Sequence, residues 1–526
     1  MTMTSLIGHM LELDFGREFK SWQGTSPEDL FEAPVYRNVS KNSEGVAANL
    51  RQLSRNSDVL FIWTDCDREG EAIGAEVESI CTQVNRRIQV WRARFSAMQA
   101  GPIHHAANNH VQLDRRQVAA VESRSELDLR IGAAFTRLQT IRLNEFFNNT
   151  ERAIVSYGSC QFPTLGFVVD RYMAIKNFVS EEFWRIDMEY APQPAKKNDE
   201  TDKAVKFNWK RGHIFDYWSS FALYESCYKN PMATVKRVQK KRVTKRKPLP
   251  LTTVEMQKLA TRVLGFTGDR VMSVAEDLYR NGLISYPRTE TDQFPKNFDF
   301  MTLVQMQGND RSWGTYAQLI RDGEFEQPRS GGHDDKAHPP IHPTAYDMNL
   351  SGDARRLYEF VVRRFLGCCW KDAVGHETVV DVQIAGEMFD AKGLIIAERN
   401  YLEVYTYDKW STHVLPNFQE NEQFMPSVLQ LNSGKTEPPK LLTEYDLISL
   451  MEKNEIGTDA TIAEHIKKIC DRRYVYKDGQ YFNPSTLGIA LVLGYDEIGF
   501  ETSLSKPFLR REVSPYKQEN RMMKAV

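Results

Sequence analysis

The chain switches repeatedly between helical and strand-like patterning, and that order limits its fold more than any single motif. After an α/β opening over residues 1–105, residues 106–180 carry apolar residues at helical spacing and residues 181–250 alternate as strands do. Residues 251–372 are helical, 373–440 strand-like and 441–526 helical again. A chain that leaves a strand region and later returns to one implies nested domains on a shared β scaffold. Its 526 residues allow three or four domains and a sizeable core. Residues 236–247, with eight Lys or Arg in twelve, read as an exposed basic connector. Residues 196–203 read as a disordered polar insertion and 420–439 as a loop-rich linker.

Formal net charge is −2, so a nucleic-acid partner would have to be held by local basic patches. Seven scattered cysteines without a C-x-x-C pair argue for a reducing compartment, and against a disulfide framework or structural zinc. No apolar run approaches the ~20 residues of a membrane span, so a soluble intracellular protein is expected.

Three segments carry candidate chemistry. An apolar run over residues 59–63 reads as a buried strand that delivers Asp65 and Asp67, with Glu69 and Glu71 at the same spacing in an opening helical turn. Four adjacent carboxylates repel, and a divalent cation such as Mg²⁺ relieves that best. A solvated acidic turn is the plainer alternative, disfavoured by the strand that precedes it. In residues 281–291 Tyr286 is fixed by Pro287, and Arg288 is expected to favour its phenolate and to grip a phosphate. In residues 336–344 His338 and His342 stand in a proline-stiffened loop that can orient a phosphate or donate a proton. Turns at residues 156–166 and 456–461 can cap helices or offer donors to phosphate. Each of the last four segments alone is more often structural. Gly434-Lys435-Thr436 imitates a P-loop end, but Leu429 occupies the required glycine position and Pro438-Pro439 blocks a following helix. ATP binding there is rejected.

Together and in this order the segments resemble the type IA DNA topoisomerases, and within them the eukaryotic topoisomerase III group, alpha-like. The carriers are Thr-Asp-Cys-Asp-Arg-Glu-Gly-Glu, Ser-Tyr-Gly-Ser-Cys-Gln-Phe-Pro-Thr-Leu-Gly, Ile-Ser-Tyr-Pro-Arg-Thr-Glu-Thr, Ala-His-Pro-Pro-Ile-His-Pro-Thr and Ile-Gly-Thr-Asp-Ala-Thr. The resemblance implies a multidomain α/β plus α and β fold: a Toprim-like α/β domain (1–105) followed by a toroidal core. In that core a helical lid (251–372) swings on β arms (181–250 and 373–440), and helical parts (106–180 and 441–526) form a single-strand groove. It implies that Tyr286 attacks DNA to form a 5′-phosphotyrosine, with Arg288, His338 and Glu69 also catalytic, and that Asp65, Asp67 and Glu69 hold Mg²⁺. His9, Arg124, Arg130, Ser159, Gln161, Thr458 and Thr461 become DNA-binding candidates. Single-stranded and negatively supercoiled DNA, a RecQ-type helicase, a small OB-fold protein and the nucleus follow by analogy, with no membrane. The family's initial Glu-Lys segment has no counterpart before Thr4, so an open Toprim edge is expected, with a catalytically impaired DNA-binding form as the alternative. After Arg511 the sequence diverges from the family without cysteine-rich zinc modules.

Overall fold

A computed structural model describes residues 1–22, 24–147, 154–191, 204–459 and 461–497. The polar insertion at 196–203 and the divergence after Arg511 lie outside them.

Near the N-terminus β1 (Leu11–Phe15) pairs antiparallel with β2 (Val35–Val39). Helix α1 (Glu44–Ser54) leads to β3 (Val59–Ile62), α2 (Arg68–Thr82) and β4 (Gln89–Arg92). Strands β3 and β4 run parallel, with α2 as the crossover that a parallel pair needs. Among the described residues this ladder has two strands. Met10, Ala47, Leu50, Val77 and Ile80 form the core between α1, α2 and the segment leading into β1. Two helices follow, α3 (Ala100–Asn108) and the 33-residue α4 (Arg115–Phe147), which packs along α2. Then α5 (Gln161–Lys176) begins at the 156–160 turn.

The sheet region opens with β5 (Glu182–Tyr190), β6 (Val205–Trp209), α6 (Tyr217–Lys229) and β7 (Ala233–Lys245). The chain then makes a helical excursion through α7 (Thr253–Val263), α8 (Gly268–Arg280), α9 (Phe300–Met306), α10 (Gly314–Leu319) and α11 (Gly352–Cys368). It returns as β8 (Ala373–Ile384) and β9 (Glu387–Glu398), followed by α12 (Tyr401–Val404), β10 (Gln423–Phe424) and β11 (Val428–Lys435). The strands form one seven-stranded antiparallel sheet in the order β10-β7-β8-β9-β6-β5-β11. Lys245 stands directly opposite Ala373, so the helical insert leaves and re-enters the sheet at one point. Trp313, Tyr358, Phe360 and Leu366 are fully buried in a core that the insert shares with Tyr401, Leu402 and Val404.

Two sequence readings are corrected here. The basic run belongs mostly to β7, a long strand rather than a connector, paired on one side by β8 along its exposed basic stretch: Ala233 and Val235 anchor it in the sheet core, and Lys241 pairs across the ladder with Glu377 at 2.8 Å. The presumed linker at 420–439 supplies β10 and β11, and β11 zips along β5 from Val428–Glu189 to Lys435–Glu182. Gly434-Lys435-Thr436 closes that strand, consistent with the rejected P-loop.

Beyond the sheet, α13 (Glu444–Lys453), α14 (Ile462–Asp471) and α15 (Thr486–Glu497) share a core with α5 through Phe162, Leu165, Leu447, Ile466 and Val492. This region is not purely helical. Between α14 and α15 lies a hairpin of β12 (Val475–Asp478) and β13 (Tyr481–Pro484). Among the described residues no helix is long and apolar enough to cross a membrane.

Candidate active site

The acidic segment bends at Cys66 and Asp67 and folds back over the first turn of α2, where a Cβ on Gly70 would lie 1.9 Å from the Asp65 carbonyl oxygen. Asp67 caps α2 by accepting from the Gly70 N–H (2.7 Å). Buried Arg92, at the end of β4, ties the loop down. It donates to the carbonyls of Thr64 (2.7 Å) and Asp65 (2.6 Å) and to the Glu71 carboxylate (2.9 Å). The second Glu71 oxygen accepts from the Asp114 N–H (2.9 Å).

The four carboxylates are therefore not one cluster. Glu71 is buried on Arg92, whereas Glu69 is held by Arg124 of α4 and by His9 (2.9 Å). Burial alone would raise the Glu69 pKa, but His9 and Arg124 outweigh it and bring it down to about 2. His9 also meets Glu76 (2.8 Å), and these two glutamates raise its pKa to about 10. Mutual repulsion is thus relieved mainly by neighbouring cations. Asp65 and Asp67 alone face the helical insert. Burial, followed by the Asp67 charge, raises the Asp65 pKa.

The insert brings its motifs to that pair. The Tyr286 hydroxyl donates to Asp67 Oδ2 at 2.5 Å across 219 residues of sequence, and the Tyr286 N–H donates to the Ser96 carbonyl (3.2 Å). The Tyr279 hydroxyl lies 3.4 Å from Asp65 Oδ1, with its ring against that of Tyr286. Arg288 pairs with Glu276 of α8. His338 stacks at a tilt on Tyr286, ring centroids 4.5 Å apart, and its buried ring nitrogens make no well-formed hydrogen bond, the Cys66 backbone being within weak reach. Its loop is fixed by Asp335, which accepts from the His338 N–H (2.8 Å) and from Thr289 Oγ1 (2.9 Å), joining the tyrosine and histidine segments.

Arg288 favours the Tyr286 phenolate as expected, but it is outweighed. Burial, then Asp67 and Asp65, raise the Tyr286 pKa, and Arg288 opposes them without prevailing. Here the nucleophile candidate is a neutral phenol, hydrogen-bonded to a carboxylate. His342 is structural: its Nδ1 contacts the Pro340 carbonyl (2.7 Å), and burial lowers its pKa to about 4.

The DNA-binding candidates are dispersed. Ser159 donates to Asp128 (2.6 Å), and Gln161 meets Arg472 beside a cleft that Trp22, Gly132, Thr136 and Tyr157 also line. Thr461 Oγ1 caps the turn at Thr458 (2.9 Å). Arg130 is turned inward, onto Glu126 and the carbonyls of Leu30, Phe31 and Ala33, so its donors serve the fold. Sequence reasoning missed Glu276, Tyr279, Arg92 and Arg472. Only the first two carried a signal, since they lie three residues apart on one face of α8.

Hard carboxylate oxygens suit Mg²⁺, which typically takes one or two carboxylates, waters and substrate phosphates. Asp65 and Asp67 fit that pattern. Glu69 fits less well, since both its oxygens already face cations. Among the described residues no three acidic, His or Cys side chains converge as a ready metal site.

The tyrosine–carboxylate contact, the insert and the sheet define a class, and comparison with known proteins agrees. The DNA topoisomerase family model matches residues 112–514 and the Toprim domain model residues 1–98. DNA topoisomerase 3-alpha of Homo sapiens is 48% identical over 515 residues, 98% of this chain and 50% of the relative. DNA topoisomerase 3 of Schizosaccharomyces pombe is 44% identical over 523 residues, covering 98% of this chain and 83% of the relative. The full-length topoisomerase I structure from Thermotoga maritima shares the fold at TM-score 0.73 and 23% identity, over 99% of this chain and 85% of that one. The chain belongs to the type IA DNA topoisomerases, in the topoisomerase 3 branch, with a Toprim domain at its N-terminal side. It spans about half the length of its human relative.

Proposed function

We propose that this chain breaks and reseals one DNA strand through Tyr286, relaxing negative supercoils and resolving recombination and replication intermediates without ATP. The observation that carries the reading is the Tyr286–Asp67 hydrogen bond, which puts a buried tyrosine on the Toprim acidic loop. In the cleavage step the Tyr286 oxygen bonds to phosphorus as the bond from phosphorus to the 3′ oxygen breaks. The phenolic proton passes to Asp67 Oδ2 and is relayed from there through solvent to the departing 3′ oxygen, which leaves Asp67 ionised again. The product is a 5′-phosphotyrosine and a free 3′ hydroxyl, and reversal restores the strand. Because the phosphodiester energy is kept in that bond, no nucleotide need be consumed.

Arg288 would hold the scissile phosphate, and the unpartnered ring of His338 would donate to one of its oxygens or to the leaving oxygen. Mg²⁺ bound by Asp65 and Asp67 would supply positive charge beside the 3′ oxygen. His9, Arg124, Ser159, Gln161, Thr458 and Thr461 would contact the strand backbone, with Arg130 acting through the fold. Residues 251–372 would serve as the lid on β arms 181–250 and 373–440. On family grounds the partners are a RecQ-type helicase and a small OB-fold protein, in the nucleus.

The test is incubation with negatively supercoiled plasmid and Mg²⁺, beside Tyr286→Phe. Relaxation and a denaturant-trapped adduct by the parent chain alone support the proposal. Equal relaxation by the variant would remove Tyr286 from the mechanism.

A further inference from the structure

Helix α8 presents two side chains to the site, one helical turn apart. Tyr279 reaches Asp65, and Glu276 accepts from both Nε (3.2 Å) and Nη2 (2.5 Å) of Arg288 through a single oxygen. Glu276 and Arg288 are each about one-third exposed, at 32%. Their contact thus has one side open to an approaching ligand.

Arg288 lies among several anions. Glu276 holds it, Tyr286 two residues earlier is bonded to Asp67, and Tyr279, one turn along α8 from Glu276, reaches Asp65, so the guanidinium stands beside both aspartates and its charge is felt at each. The two aspartates are the denser negative site, and a guanidinium drawn onto them would occupy the place of a divalent cation. Glu276 pulls the other way, from a helix buried in the insert's core through Val271, Val274, Ala275 and Leu278. A guanidinium has five N–H donors, so those not engaged by Glu276 remain for a phosphate.

We infer that Glu276 is a positioning residue that holds Arg288 off Asp65 and Asp67, keeping the aspartates open to a divalent cation and the guanidinium open to a phosphate. This rests on the reading of Arg288 and the aspartates as topoisomerase machinery. Glu276 itself has no contact with DNA in this scheme, because a carboxylate facing a phosphodiester would repel it.

Titration of Mn²⁺ into the full chain, with free ion followed by electron paramagnetic resonance, tests the inference. The site-specific component is the part of the binding lost in Asp67→Asn. In the parent chain Glu276→Gln should weaken that component about fivefold, and in an Arg288→Gln background it should change nothing, the coupling expected of a residue acting through another. Glu276→Asp should recover part of the affinity, and thermal melts verify that each variant folds. An equal loss in both backgrounds means a direct charge effect and overturns the inference. So do an unchanged affinity in Glu276→Gln and the absence of any Asp67-dependent binding. Adduct formation is scored separately on the same proteins. Coupling without a Tyr286 adduct would leave the positioning role intact and defeat the activity reading; an adduct without coupling would do the reverse.

Discussion

Two buried histidines four residues apart in one loop have opposite surroundings. His342 is tied to the Pro340 carbonyl, whereas the His338 ring lies against Tyr286 with no well-formed hydrogen bond to either nitrogen. A buried polar group left unpaired costs about 1–3 kcal/mol, so position 338 is a local destabilisation that an arriving phosphate would offset. His338→Leu is expected to leave unfolding stability unchanged or raise it by about 1 kcal/mol. Cleavage of a single-stranded oligonucleotide by the same variant should slow about 100-fold, the scale of a lost proton donor. Thermal denaturation and single-turnover adduct yield measure the two effects, and a large stability loss would make His338 a core residue instead. Asp65, Asp67, Tyr286 and His338 were legible in the sequence because each follows a short apolar run or sits among prolines. Glu276 and Tyr279 were legible only as neighbours on one face of α8, because a helix face discloses its residues but not what they will meet. Arg92 gave no signal: an arginine ending a strand looks solvent-bound until Glu71 and the loop carbonyls close over it.

At the level of elements, Arg92 joins β4 to the β3–α2 loop. Arg92→Ala would strand the buried Glu71 carboxylate, a change costing about 3–5 kcal/mol. Hydrogen exchange should accelerate first over residues 59–72. Exchange confined to α4 would show that the loop does not depend on this tie. A second device fixes the sheet at the start of β9. Burial pushes the Glu387 carboxyl up, but hydrogen bonds from Arg211 and Trp209 outweigh it and leave it below its ordinary value. The folded carboxyl is thus the stronger acid. It adds stability above the unfolded pKa of about 4.3, and that stability is lost as pH falls further, through the folded value. Glu387→Gln should flatten this part of the acid dependence of tryptophan fluorescence; an unaltered acid limb would place the sensitivity elsewhere. Strand-rich and helix-rich stretches were readable from periodicity. β7 and β11 were not, because their exposed halves carry lysines and polar residues whose partners lie on distant strands. The β12–β13 hairpin was hidden by its brevity within a helical stretch.

For the molecule as a whole, the nested order of segments was the most legible property, since a sheet interrupted by helices leaves alternation on both sides of the interruption. The contacts that close the insert onto the rest were not legible. Gly268 N–H donates to Glu444 Oε1 (2.5 Å), Lys467 meets Asp269 (3.0 Å) and Lys258 meets Glu452 (3.0 Å). Gly268–Glu444 is buried, whereas Lys467–Asp269 is half exposed on both sides and so is screened by salt. Protection of α8 against hydrogen exchange should therefore fall between about 0.1 M and 1 M salt, where the Debye length shrinks from ~10 to ~3 Å. No change would assign closure to apolar contacts. The Lys245–Ala373 pairing carries a different consequence. Topologically the helical insert is the loop of a very long β-hairpin, so a two-residue Asn-Gly turn could replace residues 246–372 without shifting the ladder. Such a protein would keep the sheet and the acidic loop while having no nucleophile to offer, and it would uncover Tyr401, Leu402 and Val404, which share the insert's core. In design terms the chain is two machines joined covalently at one opposed pair of residues, with every other contact between them free to part.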